Sequence, residues 1–282
     1  MKIGVYFRPS SELAAEIASR VIDEGVKNGA EMYIEESLLK EPRAATIISS
    51  KRVRAFSFEK PEVDVIAVVG GDGTLLRALH MLGDHRIPVM TIRMGRRGFL
   101  LDVTPLEIPE RISDLLRGKY NVVSYTRLSA RIGNEKMPPA LNEVSVVAST
   151  RSKVIRLKVY RDDKFVYYME GDGVIVATPL GSTAYSMSAG GPILDHNLRG
   201  FVVTPLAPVQ AWLRPVVFDL NTKIRVVLAE NSIEGYVIVD GQASMEIPPG
   251  GAVLIEVHHE PARIIRFHDI DTLYERIFPR VI

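Results

Sequence analysis

The sequence predicts an α/β N-terminal doubly wound domain, an all-β C-terminal domain of the β-sandwich type, and a C-terminal helix that returns to the first domain. Three observations predict it. Up to about residue 118, strand-like and helix-like segments alternate with short links, the pattern of a parallel sheet covered by helices. Past Tyr120, short β-branched or aromatic segments recur between polar turns. At the end, Asp269 to Phe278 regains helical spacing. The domains so read are residues 1–118, with 267–282 packing back on them, and 119–266.

In chain order, Ile3 to Phe7 reads as a first strand. Pro9 and Ser10 follow as a helix start, with Leu13, Ile17 and Val21 at i+4 spacing and Asn28-Gly29 as the stop. Val63 to Val69 is a nearly continuous apolar run, which suits a strand covered on both faces. Thr74 to Leu82 reads as the next helix, Pro88 to Ile92 as a strand and Leu106 to Leu116 as a helix. In the second part, Val154–Tyr160 and Phe165–Met169 flank the turn Arg161-Asp162-Asp163-Lys164. Gly173–Thr178, Ile224–Leu228, Tyr236–Val239 and Ala252–Val257 continue the strands.

Composition narrows the chemistry. With 35 basic and 34 acidic residues the net charge is +1, so no overall field draws nucleic acid or an anionic membrane, and any anion site must be local. There are no cysteines, which excludes a disulfide framework, a thiolate zinc site and a catalytic thiol. The expected location is cytoplasmic: the N-terminus has no signal-peptide core, and no apolar stretch approaches the roughly 20 residues of a membrane helix. The six histidines form no H-E-x-x-H, and His258 and His259 point to opposite faces if their segment is a strand. Neither G-x-S-x-G, nor a P-loop, nor a G-x-G-x-x-G after a strand occurs.

Two segments carry chemistry. Gly70-Gly71-Asp72-Gly73-Thr74 ends a buried strand and opens a helix, at the sheet edge where ligands of open α/β folds bind. Its glycines let backbone N–H groups approach an anion, and the helix adds its positive end. Asp72 would repel a polyphosphate unless it takes a proton or holds a cation, and both roles belong to phosphoryl transfer. The segment also reads as a tight turn with Asp72 capping the helix. The second segment, Thr178 to Pro192, holds six hydroxyl side chains and three glycines in fifteen residues. Hydroxyls and free amides suit ribose and phosphate oxygens, and Tyr185 offers a flat face; a polar surface loop is the other reading.

Together with Asn142-Glu143 and Asp240-Gly241-Gln242, in this order, these segments closely resemble the NAD kinases. The Gly-Gly-Asp-Gly-Thr element is shared with lipid kinases and phosphofructokinases, whereas the Thr178–Pro192 segment is far more specific. The resemblance implies an active site between the two domains and transfer of the γ-phosphate of ATP to the adenosine 2′-hydroxyl of NAD. Magnesium or another divalent cation accompanies the ATP. It implies Asp72 as the proton acceptor and Gly70, Gly71, Gly73 and Thr74 around the phosphates of ATP; no residue is assigned as a direct ligand of the metal. An aspartate is a weak base for an alcohol, so positioning and charge neutralisation would carry most of the catalysis.

For NAD contacts the resemblance implies Asp72, Gly73, Arg77, Phe99, Asn142, Glu143, Lys153 and Asp172. It adds Thr183, Ala184, Tyr185, Ser186, Met187, Ser188, Ala207 and Gln242. Asp172-Gly173 and Asp240-Gly241 read equally as turns, the latter as a two-residue hairpin. The family's Asn-x-Gly-x-Leu-Gly-Phe-Leu element stands here as Arg93-Met94-Gly95-Arg96-Arg97-Gly98-Phe99-Leu100, and its Thr-Pro-Thr-Gly as Thr178-Pro179-Leu180-Gly181. Arg93, Arg96 and Arg97 read either as phosphate ligands or as solvated or subunit-facing side chains. A homodimer or homotetramer is implied, and polyphosphate could replace ATP. A related kinase acting on a lipid or sugar phosphate, and a non-catalytic dinucleotide-binding regulator, are the alternative readings.

Overall fold

The computed structural model describes residues 1–41, 53–95, 100–150 and 152–268. The helix expected over Asp269–Phe278, and Arg96, Arg97 and Phe99, lie outside them.

The chain begins with β1 (Lys2–Phe7), α1 (Glu12–Lys27), β2 (Glu31–Glu35) and β3 (Arg54–Phe56). Ser11 caps α1 by accepting the Ala14 N–H, and Asn28 with Gly29, at φ 84°, ends it. The buried stripe of α1 is Ala14, Ile17, Ala18, Val21 and Ile22. Leu13, read from spacing as part of it, is instead 50% exposed, because it sits one position off the stripe. β4 (Val65–Gly70), α2 (Asp72–Leu82), β5 (Val89–Arg93), α3 (Ile108–Leu116) and β6 (Asn121–Tyr125) follow. Every residue of β4 is buried, as its unbroken apolar run requires of a central parallel strand.

The second unit is made of strands: β7 (Leu128–Ile132), β8 (Glu135–Lys136), β9 (Glu143–Ala148), β10 (Ile155–Arg161), β11 (Lys164–Gly171) and β12 (Gly173–Ala177). A short helix, α4 (Tyr185–Ser188), precedes β13 (Gly200–Leu206), β14 (Val216–Asp219), β15 (Ile224–Leu228), β16 (Gly235–Val239), β17 (Ala243–Ile247) and β18 (Ala252–Val257). Last comes β19 (Ala262–Arg266), which rejoins the first sheet in the order β3-β2-β1-β4-β5-β19-β6. The chain thus divides into residues 1–124 with the strand from Ala262 onward, and Tyr125–Pro261. The change of rhythm near Tyr120 marked the region of the boundary but hid two strands, β6 and β19, that pair with the first sheet.

β1 pairs in parallel with β2 on one side and β4 on the other, so the winding reverses between β1 and β4. In the second unit two six-stranded sheets, β11-β10-β15-β18-β7-β8 and β14-β13-β12-β9-β16-β17, share one core. Val144, Val146, Val174, Val176, Val237 and Val239 of the latter meet Leu157, Val159, Val226, Val253 and Ile255 of the former, which makes a β-sandwich. On the outer face of the second sheet, Ile175, Ala177 and Val202 are covered by Leu194, at the end of the segment that leaves β12.

Candidate active site

In the first unit, the turn after β4 opens at the point where the winding reverses. Gly71 is extended at φ −117° and ψ −177°, and α2 starts at Asp72. Thr74 folds back so that its hydroxyl receives the Gly71 N–H at 3.4 Å, and a Cβ at Gly70 would collide with the Thr74 side chain. Asp72 is half-buried, and its Oδ1 accepts the Leu100 N–H at 3.1 Å. Leu100 is held in turn: the buried Arg266 guanidinium donates to its carbonyl at 2.9 Å and lies 3.9 Å from the Asp102 carboxylate. Asp102 also accepts the Phe267 N–H at 2.7 Å. The strand that closes the sheet therefore anchors the peptide that orients Asp72. The α1 N-terminus, capped by Ser11, and the α2 N-terminus follow β1 and β4, the neighbouring strands of the reversal, so two positive helix ends open on this edge.

In the second unit, Val239 pairs with Ala243, so Asp240, Gly241 and Gln242 link β16 to β17, one residue more than the two-residue hairpin expected; Asp240 and Gly241 stand at φ 49° and 62°, the left-handed geometry of a tight turn. The Asp240 carboxylate, 5% exposed, accepts three successive backbone N–H groups, from Leu141 at 2.8 Å, Asn142 at 2.8 Å and Glu143 at 3.0 Å. The Asp240 N–H donates back to the Glu143 carbonyl at 3.0 Å. This clasp fixes the entry to β9. The turn after β12 is stitched to the same place: Thr178 Oγ1 donates to the Leu141 carbonyl at 2.6 Å, and the Thr178 N–H donates to the Asn142 carbonyl at 2.9 Å. Gly181 packs so close to the Asn142 backbone that any side chain there would overlap it.

The clasp leaves Glu143 at the head of a cavity of about 850 Å³. Cross-strand pairs of β9 and β16, Ser145 with Ile238 and Val147 with Tyr236, form its floor; Lys153, Asp172 and Tyr185 stand around it. Glu143 is 8% exposed, and its Oε2 is buried without a protein partner. Burial, and then the negative charge of Asp240, push its carboxyl up to about 7, against the Tyr185 backbone N–H that donates to it. Burial, followed by the charges of Asp172 and Glu143, also raises the Tyr185 phenol. The cavity is concave, part apolar, and holds convergent polar groups, the character of a small-molecule site.

Residues 3–120 match the model of the ATP-NAD kinase N-terminal domain, and residues 141–267 match that of the ATP-NAD kinase C-terminal domain. The chain is 37% identical to an NAD kinase of Aeropyrum pernix over 281 residues, which span 99% of this chain and 98% of that protein. The chain belongs to the NAD kinase family. It is a kinase that phosphorylates NAD. The NAD kinase of Methanothermobacter thermautotrophicus is 35% identical over 266 residues, 94% of this chain and 92% of that one. Among solved structures, an NAD kinase from Archaeoglobus fulgidus in complex with ATP superposes with a TM-score of 0.79 at 26% identity, covering 99% of both chains. Yeast NADH kinase complexed with NADH has the same fold, with a TM-score of 0.90 at 19% identity over 100% of this chain and 87% of that one.

For an NAD kinase, the residues singled out in the sequence fall unevenly. Gly70, Gly71, Asp72, Gly73 and Thr74 stand together at the edge of the first sheet, with Arg77 exposed one turn along α2. Glu143, Lys153, Asp172 and Tyr185 line the cavity of the second unit together. Asn142 is half-buried beside them, with its backbone engaged in the clasp. Thr183, Ala184, Met187, Ser188, Ala207 and Gln242 do not line that cavity, although Leu206 and Gly241, the neighbours of the last two, do.

The hydroxyl-rich segment needs a correction. Thr178, Ser182 and Ser186 are all fully buried. Ser182 Oγ donates to the Pro179 carbonyl at 2.6 Å and receives the Leu194 N–H at 2.9 Å; Ser186 Oγ lies 2.8 Å from Thr204 Oγ1. These hydroxyls build the loop, because an interior polar group needs a partner. Thr183 Oγ1 likewise donates to the Leu180 carbonyl at 3.1 Å. His258 and His259 also differ from expectation: they lie just past β18, outside the strand alternation, with ring centroids 4.4 Å apart. Sequence reasoning missed Asp240 as the clasp, having read it as a turn alone, and it missed the cavity floor. A signal existed for the floor: once Glu143 opens a strand, Ser145 and Val147 must share its face.

Proposed function

We propose that this NAD kinase binds ATP as its Mg²⁺ complex and transfers the γ-phosphate to the 2′-hydroxyl of the adenosine ribose of NAD. Asp72 accepts the hydroxyl proton. The bond from the ribose oxygen to the γ-phosphorus forms as the bond to the β-phosphate oxygen breaks, and ADP leaves. The observation that carries this reading is the half-buried carboxylate in the first turn of α2, oriented by the Leu100 N–H at 3.1 Å where the winding of the sheet reverses. The first-turn amides of α2 with Gly70, Gly71, Gly73 and Thr74 suit the phosphates, and Arg77 lies one turn further for the dinucleotide. The cation supplies charge neutralisation on the transferring phosphoryl group, and the chain supplies position and a proton acceptor.

NAD engages the second unit through Glu143, Lys153, Asp172 and Tyr185, supported by their meeting in one cavity. Asn142 and the exposed parts of the 183–188 turn, with Ala207 and Gln242, belong to the same proposal. So do a cytoplasmic location and assembly into a homodimer or homotetramer. Val209 and Trp212, which are 64% and 76% exposed on the second unit, support the assembly.

The test uses purified protein with NAD or NADH and with MgATP or polyphosphate, scored for NADP(H). NADP from NAD and ATP is expected, and no NADP(H) with any donor overturns the reaction. Asp72→Asn is expected to bind NAD by calorimetry and to lose turnover by roughly 10²–10⁴-fold. Near-normal turnover in that variant overturns the role of Asp72.

A further inference from the structure

The cavity of the second unit has an unbalanced inventory. Of its three carboxylates, Asp240 is engaged by three backbone amides, while Asp172 is exposed and Glu143 keeps an unpartnered Oε2. Two aromatic faces accompany them: Tyr185 is 43% exposed and Tyr236 38% exposed, and both line the cavity. Lys153 is the one cation among the described lining residues. Adenine is neutral and a pyrophosphate is anionic, so neither draws on the negative charge of two carboxylates. The nicotinamide ring of oxidised NAD does suit them: it is a flat cation, stabilised by carboxylates at short range and by aromatic faces. Lys153 is then matched to the pyrophosphate.

We propose that this cavity reads the charge of the nicotinamide ring, so that Glu143 and Asp172 make the enzyme select NAD over NADH. The inference rests on the reading of the cavity as the NAD site and adds the redox form that it accepts. Reduction removes one positive charge from the ring and leaves the rest of the dinucleotide unchanged, so the two substrates differ in the property that the carboxylates sense.

Among the described residues, the titratable groups around Glu143 are Asp240 from the turn after β16, Tyr185 from the start of α4, Asp172 between β11 and β12, and Lys153 after β9. A cation bound among them draws a proton off Glu143, whose carboxyl burial and Asp240 push up to about 7. Selectivity for NAD is therefore expected to rise from pH 6 to pH 8.

The experiment measures KM for NAD and for NADH with MgATP, in the wild type, Glu143→Gln, Asp172→Asn and the double variant, and binding of oxidised and reduced nicotinamide mononucleotide. Both substitutions keep the shape of the side chain, and Asp172 is exposed, so folding is preserved. The wild type is expected to favour NAD by about tenfold in KM, the scale of one short-range charge interaction at a partly exposed site. Each single variant is expected to lower that ratio about threefold and the double variant to bring it near one, with the mononucleotides following. A merely structural role would move both KM values together and leave the ratio alone. Equal KM values in the wild type, or an unchanged ratio in the double variant, overturn the proposal. Phosphorylation of both forms with equal KM leaves the kinase assignment standing, whereas phosphorylation of neither removes the assignment itself.

Discussion

Two aspartates in similar sequence settings have opposite surroundings. Asp72 stands between Gly71 and Gly73 in the first unit, and Asp240 stands between Val239 and Gly241 in the second. Asp72 is half-buried, and its orientation comes from a neighbouring peptide, that of Leu100. Asp240 is buried and holds three successive peptide N–H groups. A carboxylate that must meet a substrate keeps part of its surface open. One that must hold a loop gives its oxygens to the backbone. The residue type and the adjacent glycine do not separate the two; burial and hydrogen-bond partners do.

The largest effects test that contrast directly. Asp72→Asn should lose turnover as described above while its denaturation midpoint stays within about 0.5 kcal/mol of the wild type, the usual range for a site without a supporting role. Asp240→Ala should do the reverse at the level of folding. It leaves the Leu141, Asn142 and Glu143 amides without their acceptor, and urea titration should show a loss of about 3–5 kcal/mol. Equal stability losses in the two variants would break the comparison.

A smaller effect concerns pH. The Glu143 carboxyl is raised from an ordinary 4.5 to about 7 in the folded chain, so the folded state binds more protons than the unfolded state between those values. Its contribution favours folding most below the lower value and declines as pH rises through the window to about 7. The full change is on the order of 3 kcal/mol, and Glu143→Gln should flatten that part of the stability–pH profile. The smallest effect is at Tyr167, buried in the sandwich core with a phenol oxygen that has no partner. Tyr167→Phe should leave stability unchanged or raise it by about 0.5–1 kcal/mol in thermal melts, because it removes an unpaired polar group.

How much of this was legible in the sequence depended on whether a signal was local. The apolar run of β4, the glycine turn and α2 were readable because strand, turn and helix start follow one another within about a dozen residues of chain. The turns at Asp162-Asp163 and Asp240-Gly241 were readable because these residues tolerate positive φ, and both adopt it. The clasp was not readable: Asp240 and the amides of 141–143 are separated by nearly a hundred positions. The hydroxyls of 178–186 misled because a Ser or Thr suits an interior carbonyl as well as a ribose. β19 escaped because its pairing with β5 joins residues far apart in sequence, Ile264 with Val89.

The position of β19 between β5 and β6 has a consequence for biosynthesis. As the nascent chain leaves the ribosome, β1 to β6 emerge first, yet the sheet keeps a gap until Ala262–Arg266 has been translated. The intervening sandwich can fold on its own schedule, but the Arg266 guanidinium that steadies Leu100, and through it Asp72, arrives only with the last strand. A polypeptide that stalled before residue 262 would carry its whole phosphate-facing turn and lack the brace behind it, so translation itself delays the appearance of an organised carboxylate until Arg266 has been added.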